Sequence, residues 1–281
     1  MYNPFPKKTL KLAGKAKPRN RLRNFYAHIP VYIEKKNYII KTAETIEELR
    51  AALRLRHDVF LQELLKKKKR SGMDLDKFDK RCDHLLIIDK RSNQIIGTYR
   101  LQSSLHTKRF YSATEFHMKE LKTLPGNKLE LGRACVHPDH RNGITISLLW
   151  EGIIAYMQAS KSSYLFGCSS IKTIDKDEIK AIYYFLKRGG HIEENTLVRP
   201  RGKFKVPGLR RHVRKHPLSQ LENQSHDGDK IPSLLSSYLK MGAKLHGVPA
   251  LDKDFKCVDF MTILSAEQLL STYRRKSRGD S

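Results

Sequence analysis

Residues 128–151, KLELGRACVHPDHRNGITISLLWE, decide the fold. LELGRACV reads as a strand, apolar and β-tolerant, but it carries a carboxylate at Glu130 and a guanidinium at Arg133. Within His137-Pro138-Asp139, Pro138 ends ladder pairing. After Arg141-Asn142-Gly143 the chain turns helical, ITISLLWEGIIAYMQAS. A strand, a polar turn with glycine and then a helix aims backbone N–H groups at an anion. Glu130 and Arg133 stand three apart, so a regular strand would send them to opposite faces. A bulge near Gly132 would turn both toward one cleft, and the sequence predicts one there.

Working outward, Leu85–Asp89 and Gln94–Gln102 are strands joined by Lys90-Arg91-Ser92-Asn93, a hairpin signal. The second of these strands holds Arg100 among apolar neighbours. Further upstream, Thr42–Leu64 reads as a helix with Thr45 and Glu48 as a capping box. Leu49, Leu53, Arg56 and Phe60 follow at helical spacing. Asp76, Asp79 and Asp83 would share a face if their segment were helical. Residues 103–127 form an irregular excursion ending in a Pro-Gly turn. Downstream come a strand at Ser163–Ser169 and a helix over Asp177–Lys187. A helix then starts at Ile231-Pro232 and runs through SLLSSYLKMGAKLHG, and a last strand covers Cys257–Leu264. Strands and helices interleave, which predicts an α/β fold with a mixed sheet flanked by helices.

The chain has 281 residues, 39% of them hydrophobic, enough for one large domain with extensions. The expected division is a basic arm over 1–41, a folded domain over 42–275 and a tail over 276–281. The arm carries eleven Lys/Arg and one acid, Glu34, with sparse apolar anchors, a composition suited to an anionic membrane surface. The net charge of +26 asks for an anionic partner. Lys66–Arg70 and Arg199–His216 are further basic stretches. Nucleic acid is disfavoured, because the sequence has neither zinc-finger spacing nor an aromatic stacking motif. Cys82, Cys135, Cys168 and Cys257 form no CxxC pair, so reduced thiols in a cytoplasmic compartment are expected, with no metal site. No run approaches the ~18 apolar residues of a membrane span.

Arg56, Asp76, Asp79, Arg100, Glu130 and Arg133 thus form a mixed-charge set around an apolar sheet. One reading is a structural salt-bridge network, since buried charges are costly unless paired. The other is catalytic: a carboxylate on a central strand beside an anion-binding turn is placed as a general base. Cys135 with His137 two residues away offers a rival, an acyl-thiolate intermediate, but no third orienting group accompanies them.

In this order, CDHLLIID, GTYRL, FYSATEF, LELGRACVHPDHR and LFGCSS, with IPSLLSSYLKMGAKLHGVPALDKDFKCVDF toward the end, resemble the ornithine acyl-carrier-protein N-acyltransferase family. The resemblance spans residues 43–275. The family belongs to the GNAT superfamily and is distantly related to acyl-homoserine lactone synthases. Those synthases share the pattern carried here by Arg56, Phe60, Asp76, Asp79, Arg100, Glu130 and Arg133. Arg141–Ile146 departs from the usual GNAT phosphate loop in spacing and in lacking its second glycine. The resemblance implies transfer of a 3-hydroxyacyl group from acyl carrier protein to the α-amine of ornithine, with the phosphopantetheine arm as donor and no permanently bound cofactor. An alternative within the class is an N-acyl amino acid or homoserine-lactone-type synthase with another acceptor. On this reading Glu130 takes the amine proton, and Arg100 and Arg133 hold the amino-acid carboxylate. Asp76 and Asp79 hold its side-chain ammonium, while Arg56 and Phe60 complete the acceptor pocket. Cys135, Val136 and His137 line the donor path, and Arg141, Asn142, Gly143 and Ile144 receive the phosphate. The enzyme is expected to be peripheral at the inner face of the membrane.

Overall fold

A computed structural model describes residues 25–67, 69–193, 195–215 and 231–277. The sheet begins earlier than expected. Strands β1 (Tyr32–Glu34) and β2 (Tyr38–Thr42) pair antiparallel inside the presumed arm, so the folded domain starts before residue 32. The rest of the arm, residues 1–24, lies outside the described residues. Helix α1 (Ile46–Arg56) is capped as predicted: Thr45 accepts the Glu48 N–H while Glu48 reaches back to the cap backbone. It continues as a π-helix over His57–Leu64.

Strands β3 (Asp83–Asp89) and β4 (Gln94–Ser103) form the expected hairpin. The excursion after β4 contains the short β5 (Phe116–His117) and α2 (Lys119–Thr123). The deciding stretch folds as read: β6 (Asn127–Val136), a 3₁₀ turn at Pro138–His140 and α3 (Ile144–Ala159). Strand β7 (Ser162–Ile171), α4 (Lys176–Arg188), β8 (Ile192–Glu193), β9 (Arg199–Pro200) and α5 (Leu209–Lys215) follow. Helix α6 (Ser233–Lys240) is shorter than predicted. It stops because Gly242 takes φ +93, and Lys244–His246 is a strand, β10. Strands β11 (Ala250–Asp252) and β12 (Cys257–Ser265) and α7 (Ala266–Ser277) complete the chain. The polar loop expected over residues 219–230 lies outside the described residues.

The main sheet runs β1-β2-β3-β4-β6-β7-β12-β10-β8, with β11 on β12. Its pairs are antiparallel except β6–β7 and β10–β8. On one face α3 buries Leu149, Ile153 and Met157 against Leu85, Ile87 and Leu129. Gly152 permits that close approach, since a Cβ there would stand 2.7 Å from Ile40 and 2.8 Å from Leu85. On the other face α1 brings Leu49, Leu53 and the buried Arg56.

Two departures from regular pairing set up the site. Gly132 pairs with Arg100 and Cys135 with Thr98, so Arg133 and Ala134 together oppose Tyr99. This is the predicted bulge, with Arg133 in the left-handed region at φ +54. Second, β6 and β7 pair only from Asn127↔Ser162 to Glu130↔Phe166, with a register shift between Asn127 and Lys128. Beyond that, β6 continues with β4 and β7 with β12, and a wedge opens between them.

Candidate active site

The charged set predicted around the sheet does converge, but chiefly upon itself. Arg56 is fully buried. Its Nε and Nη2 donate to Asp74 Oδ2 at 2.9 and 2.7 Å, and its Nη1 donates to Asp79 Oδ1 at 2.7 Å. Arg100 donates through Nη1 to Asp76 at 2.7 Å and to Asp79 at 3.3 Å. Arg133 makes longer contacts, 3.4 Å to Asp76 and 3.5 Å to Asp74. Burial raises the Asp79 carboxyl, but Arg56 and Arg100 outweigh it and hold it well below the usual carboxylate range. The acids lie in a loop whose only regular turn is the 3₁₀ at Asp79–Arg81, so no helical face gathers them. Asp76 and Asp79 are therefore not a pocket for a substrate ammonium: their charge is already matched by guanidinium. Arg56 is fully committed, which leaves it no free fork for a carboxylate, whereas Arg100 meets the acids through Nη1 alone. Phe60, expected in the acceptor pocket, packs with Leu55 and Val59 against Cys135.

Arg133 differs from the other two arginines. It is only partly buried, and its guanidinium lies 5.1 Å from the Tyr111 ring centre and 5.3 Å from that of Phe255. Such stacking fixes the planar group while leaving its fork usable.

Glu130 faces the same side, as the bulge argument required, but its oxygens are occupied. They accept the Tyr111 and Ser112 amide N–H groups, each at 2.7 Å, and the residue is 4% exposed. Burial raises its carboxyl, and the Ser112 and Tyr111 bonds oppose that. The direct general base expected here is thus replaced by a positioning residue, which holds the 111–112 loop under Arg133.

At the end of β6, the Cys135 thiol is 2% exposed and donates to the Leu55 carbonyl at 3.7 Å. Burial pushes it up to about 12, and the His137 ring instead accepts the Asp139 N–H at 3.3 Å. A thiolate nucleophile has no support in this geometry. The Val136 carbonyl receives Arg141 Nε at 3.4 Å. Arg141 is not a free counter-charge, because both oxygens of Glu63 take its fork at 2.7 Å. Asn142, Gly143 and Ile144 are exposed at the start of α3; Gly143 has φ +82, and a Cβ there would meet open space. The turn presents backbone, not a cationic side chain.

The wedge floor is apolar. Leu131, Trp150, Leu165, Phe166, Tyr238 and Leu264 line a narrow cleft with about 20 Å³ of free space. Gly167 lies so close to β6 that a Cβ would stand 2.2 Å from the Leu131 carbonyl oxygen. A second, wider groove of about 840 Å³ carries Lys119, Arg199, Lys205, Arg210 and Arg211 on its walls.

Sequence reasoning missed a second group of acids. Glu115, Asp252 and Asp259 are buried, with ligand atoms all within 4.8 Å of one another. Glu115 is raised to about 9 by burial and by Asp259, and Asp259 is raised by burial. The available signal was a lone acid inside the buried strand CVDFMTIL, a placement that demands a partner.

The description "Acetyltransferase (GNAT) domain" fits residues 55–151. The L-ornithine N(alpha)-acyltransferase of Rhizobium meliloti (strain 1021) is 30% identical over 251 residues, covering 84% of this chain and 83% of that protein. That of Rhodobacter capsulatus is 30% identical over 253 residues, covering 85% and 93%. Among solved structures, the CoA-dependent acyl-homoserine lactone synthase BjaI superposes with a TM-score of 0.44 at 13% identity over 82% of both chains. FeeM, an N-acyl amino acid synthase from uncultured soil microbes, gives 0.44 at 9% identity, covering 86% of this chain and 95% of its own. The GNAT match includes the bulged β6, the turn and the start of α3, and the identity extends over more than four-fifths of both sequences. The protein is an acyltransferase and belongs to the L-ornithine N(alpha)-acyltransferase family.

Proposed function

We propose that the protein transfers a 3-hydroxyacyl chain from an acyl carrier protein thioester to the α-amine of ornithine, giving a lyso-ornithine lipid. The observation that carries this reading is the β6–β7 wedge. Its floor is apolar, and at its charged side lies Arg133, the one arginine of the network with loose ion contacts. The amine nitrogen attacks the thioester carbonyl, the C–S bond breaks, and the pantetheine thiol leaves with a proton while the amine nitrogen loses one. Arg133 holds the amino-acid carboxylate, stacked between Tyr111 and Phe255. The pantetheine phosphate lies at the exposed turn Asn142–Ile144, where the helix dipole favours an anion. The names of the relatives support the acceptor. The +26 charge and the Arg199–Arg211 groove favour an acidic carrier protein as donor.

The test is an acceptor panel: the full chain with 3-hydroxyacyl carrier protein and each amino acid, read by product mass. Acyl-ornithine should dominate, and an acyl-CoA donor should react at least tenfold more slowly. Preferential acylation of an acceptor with no side-chain amine would replace this reading with that of a different N-acyl amino acid synthase.

A further inference from the structure

We infer that the Tyr111 phenol accepts the proton of the attacking amine and passes it inward to the carboxyl pair Glu115–Asp259. This deepens, and rests on, the reading of the protein as an amino-acid N-acyltransferase. It supplies the proton acceptor that Glu130 cannot be, since backbone amides take both oxygens of Glu130.

Glu115 and Asp259 are 0% and 3% exposed and hydrogen-bonded to each other. Two carboxyls in such contact do not both ionise, so they share one proton and one negative charge. Burial and Asp259 raise Glu115 to about 9, which leaves the proton on Glu115 at neutral pH, donated to Asp259. The Ser170 hydroxyl and the Cys257 thiol, the latter at 3.8 Å, also donate to Asp259. On the outer side the Tyr111 phenol donates to Glu115. Each bond therefore points inward, toward the charge on Asp259. With its own proton so directed, the phenol oxygen has lone pairs left to accept with.

Tyr111 stands where acceptor and donor would meet. It is half-buried, and its ring centre lies 5.1 Å from the Arg133 guanidinium and 5.5 Å from that of Arg100. Cys168, on the wall of the apolar cleft, touches Glu115 at 3.7 Å and Ser112 at 3.5 Å. An amino acid whose carboxylate meets Arg133 carries its α-nitrogen one carbon away, beside the ring stacked on that fork. The groups facing Glu115 are Tyr111 from its own loop, Cys168 from β7, Asp252 from β11 and Asp259 from β12, and Arg133 faces Tyr111.

The protons balance. As the C–N bond forms, the nitrogen gives a proton to the phenol oxygen, the phenol gives its own to Glu115, and Glu115 gives its own to Asp259. As the C–S bond breaks, the same three transfers run backward and the proton ends on the sulfur. The pair finishes as it began, and no link bears an isolated charge in the interior.

Tyr111→Phe isolates the phenol, because the ring keeps its place on both guanidinium groups and the backbone keeps its bond to Glu130. With ornithine, KM should stay within twofold while kcat falls at least 30-fold at pH 7. Without the relay the amine must arrive already neutral, so the deficit should shrink at least fivefold between pH 7 and 8.5, which a merely structural role would not produce. Glu115→Gln should show the same split and the same rescue by pH. The double variant should be no slower than the slower single one, because both remove links of one chain. An unchanged kcat in Tyr111→Phe overturns the assignment, as does a deficit constant across pH or a double variant whose losses multiply. If another primary amine is acylated in place of ornithine, with the same loss and rescue in Tyr111→Phe, the relay stands and the reading of the acceptor fails. If ornithine is acylated equally fast by the wild type and Tyr111→Phe, that reading stands and the relay fails. If Glu115→Gln does not fold, the kcat and pH comparisons on Tyr111→Phe decide alone.

Discussion

The Arg133 guanidinium lies 5.1 Å from the centre of the Tyr111 ring, and the Tyr111 amide is itself held by Glu130 at 2.7 Å. The strand and the loop above it are thereby tied at one point, and the bulge makes this possible by bringing Glu130 and Arg133 of β6 to one face.

Arg133 is therefore the most informative position for activity. Its left-handed φ is one that glycine adopts at no steric cost. Arg133→Gly should keep or slightly raise the melting temperature while increasing KM for the amino acid at least tenfold. Arg133→Lys should restore part of the binding at best, because a point charge cannot reproduce a stacked fork. Steady-state kinetics beside calorimetry separate the two effects.

Glu130→Gln tests positioning against proton transfer. The amide NH₂ would face one of two backbone N–H groups, at a cost of about 1–3 kcal/mol. The expected result is a lower melting temperature and slower acylation, with the pH of half-maximal rate unmoved. A variant as stable as the wild type that loses the alkaline rise in rate would return the base to Glu130.

Arg56→Ala removes the guanidinium that faces Asp74 and Asp79. Breaking a buried pair from one side costs about 3–5 kcal/mol, so urea unfolding should show a large loss, or no folded protein at all.

Two buried groups set the pH dependence of stability. Burial lowers His84 from 6.5 to about 4, so the folded state binds fewer protons there and stability rises with pH across that window. Glu115 is raised from 4.5 to about 9, so the folded state binds more protons and stability falls as pH rises toward 9. The two oppose each other below 6.5, and above it the fall belongs to Glu115. Melting temperatures between pH 6.5 and 9 should decline in the wild type and flatten in Glu115→Gln.

Arg210→Glu with Arg211→Glu alters the exposed wall of the basic groove. The rate with acyl carrier protein should fall at least tenfold and lose its salt dependence, while a small acyl-pantetheine donor reacts as before. Membrane attachment is tested by removing residues 1–24 only, because a cut at residue 40 would take β1 and most of β2 out of the sheet. Liposome binding should drop more than turnover with soluble substrates. Among the described residues no helix is long and apolar enough to cross a membrane.

Much of the fold was legible because local rules acted alone. The Thr45–Glu48 cap, the β3–β4 hairpin and the strand–turn–helix of β6 and α3 are each specified by neighbours in sequence. The β1 and β2 strands were hidden by their lysines, since Lys35, Lys36 and Lys41 resemble the solvated arm before them. Lys41 is in fact buried between Glu44 and Glu48, a contact that only the folded α1 creates. The site was legible in its members but not in their pairings. Composition placed Arg56, Arg100, Asp76 and Asp79 together; it could not show that Asp74 would complete the neutralisation, nor that Glu115 would meet Asp259 from 144 positions away. Such partnerships depend on topology, which no local pattern encodes.

The doubled position at Arg133 and Ala134 also acts as a counter. Glu130 and Gly132 share the α1 side with Arg100, and past the extra residue that side passes to the odd-numbered Cys135, whose thiol meets Leu55. Deleting Ala134 would leave Cys135 opposite Thr98 and still facing α1, but regular pleating would return and turn Arg133 to the face away from Glu130. Length variation within this family should therefore be tolerated in the loops on either side and forbidden at this one link.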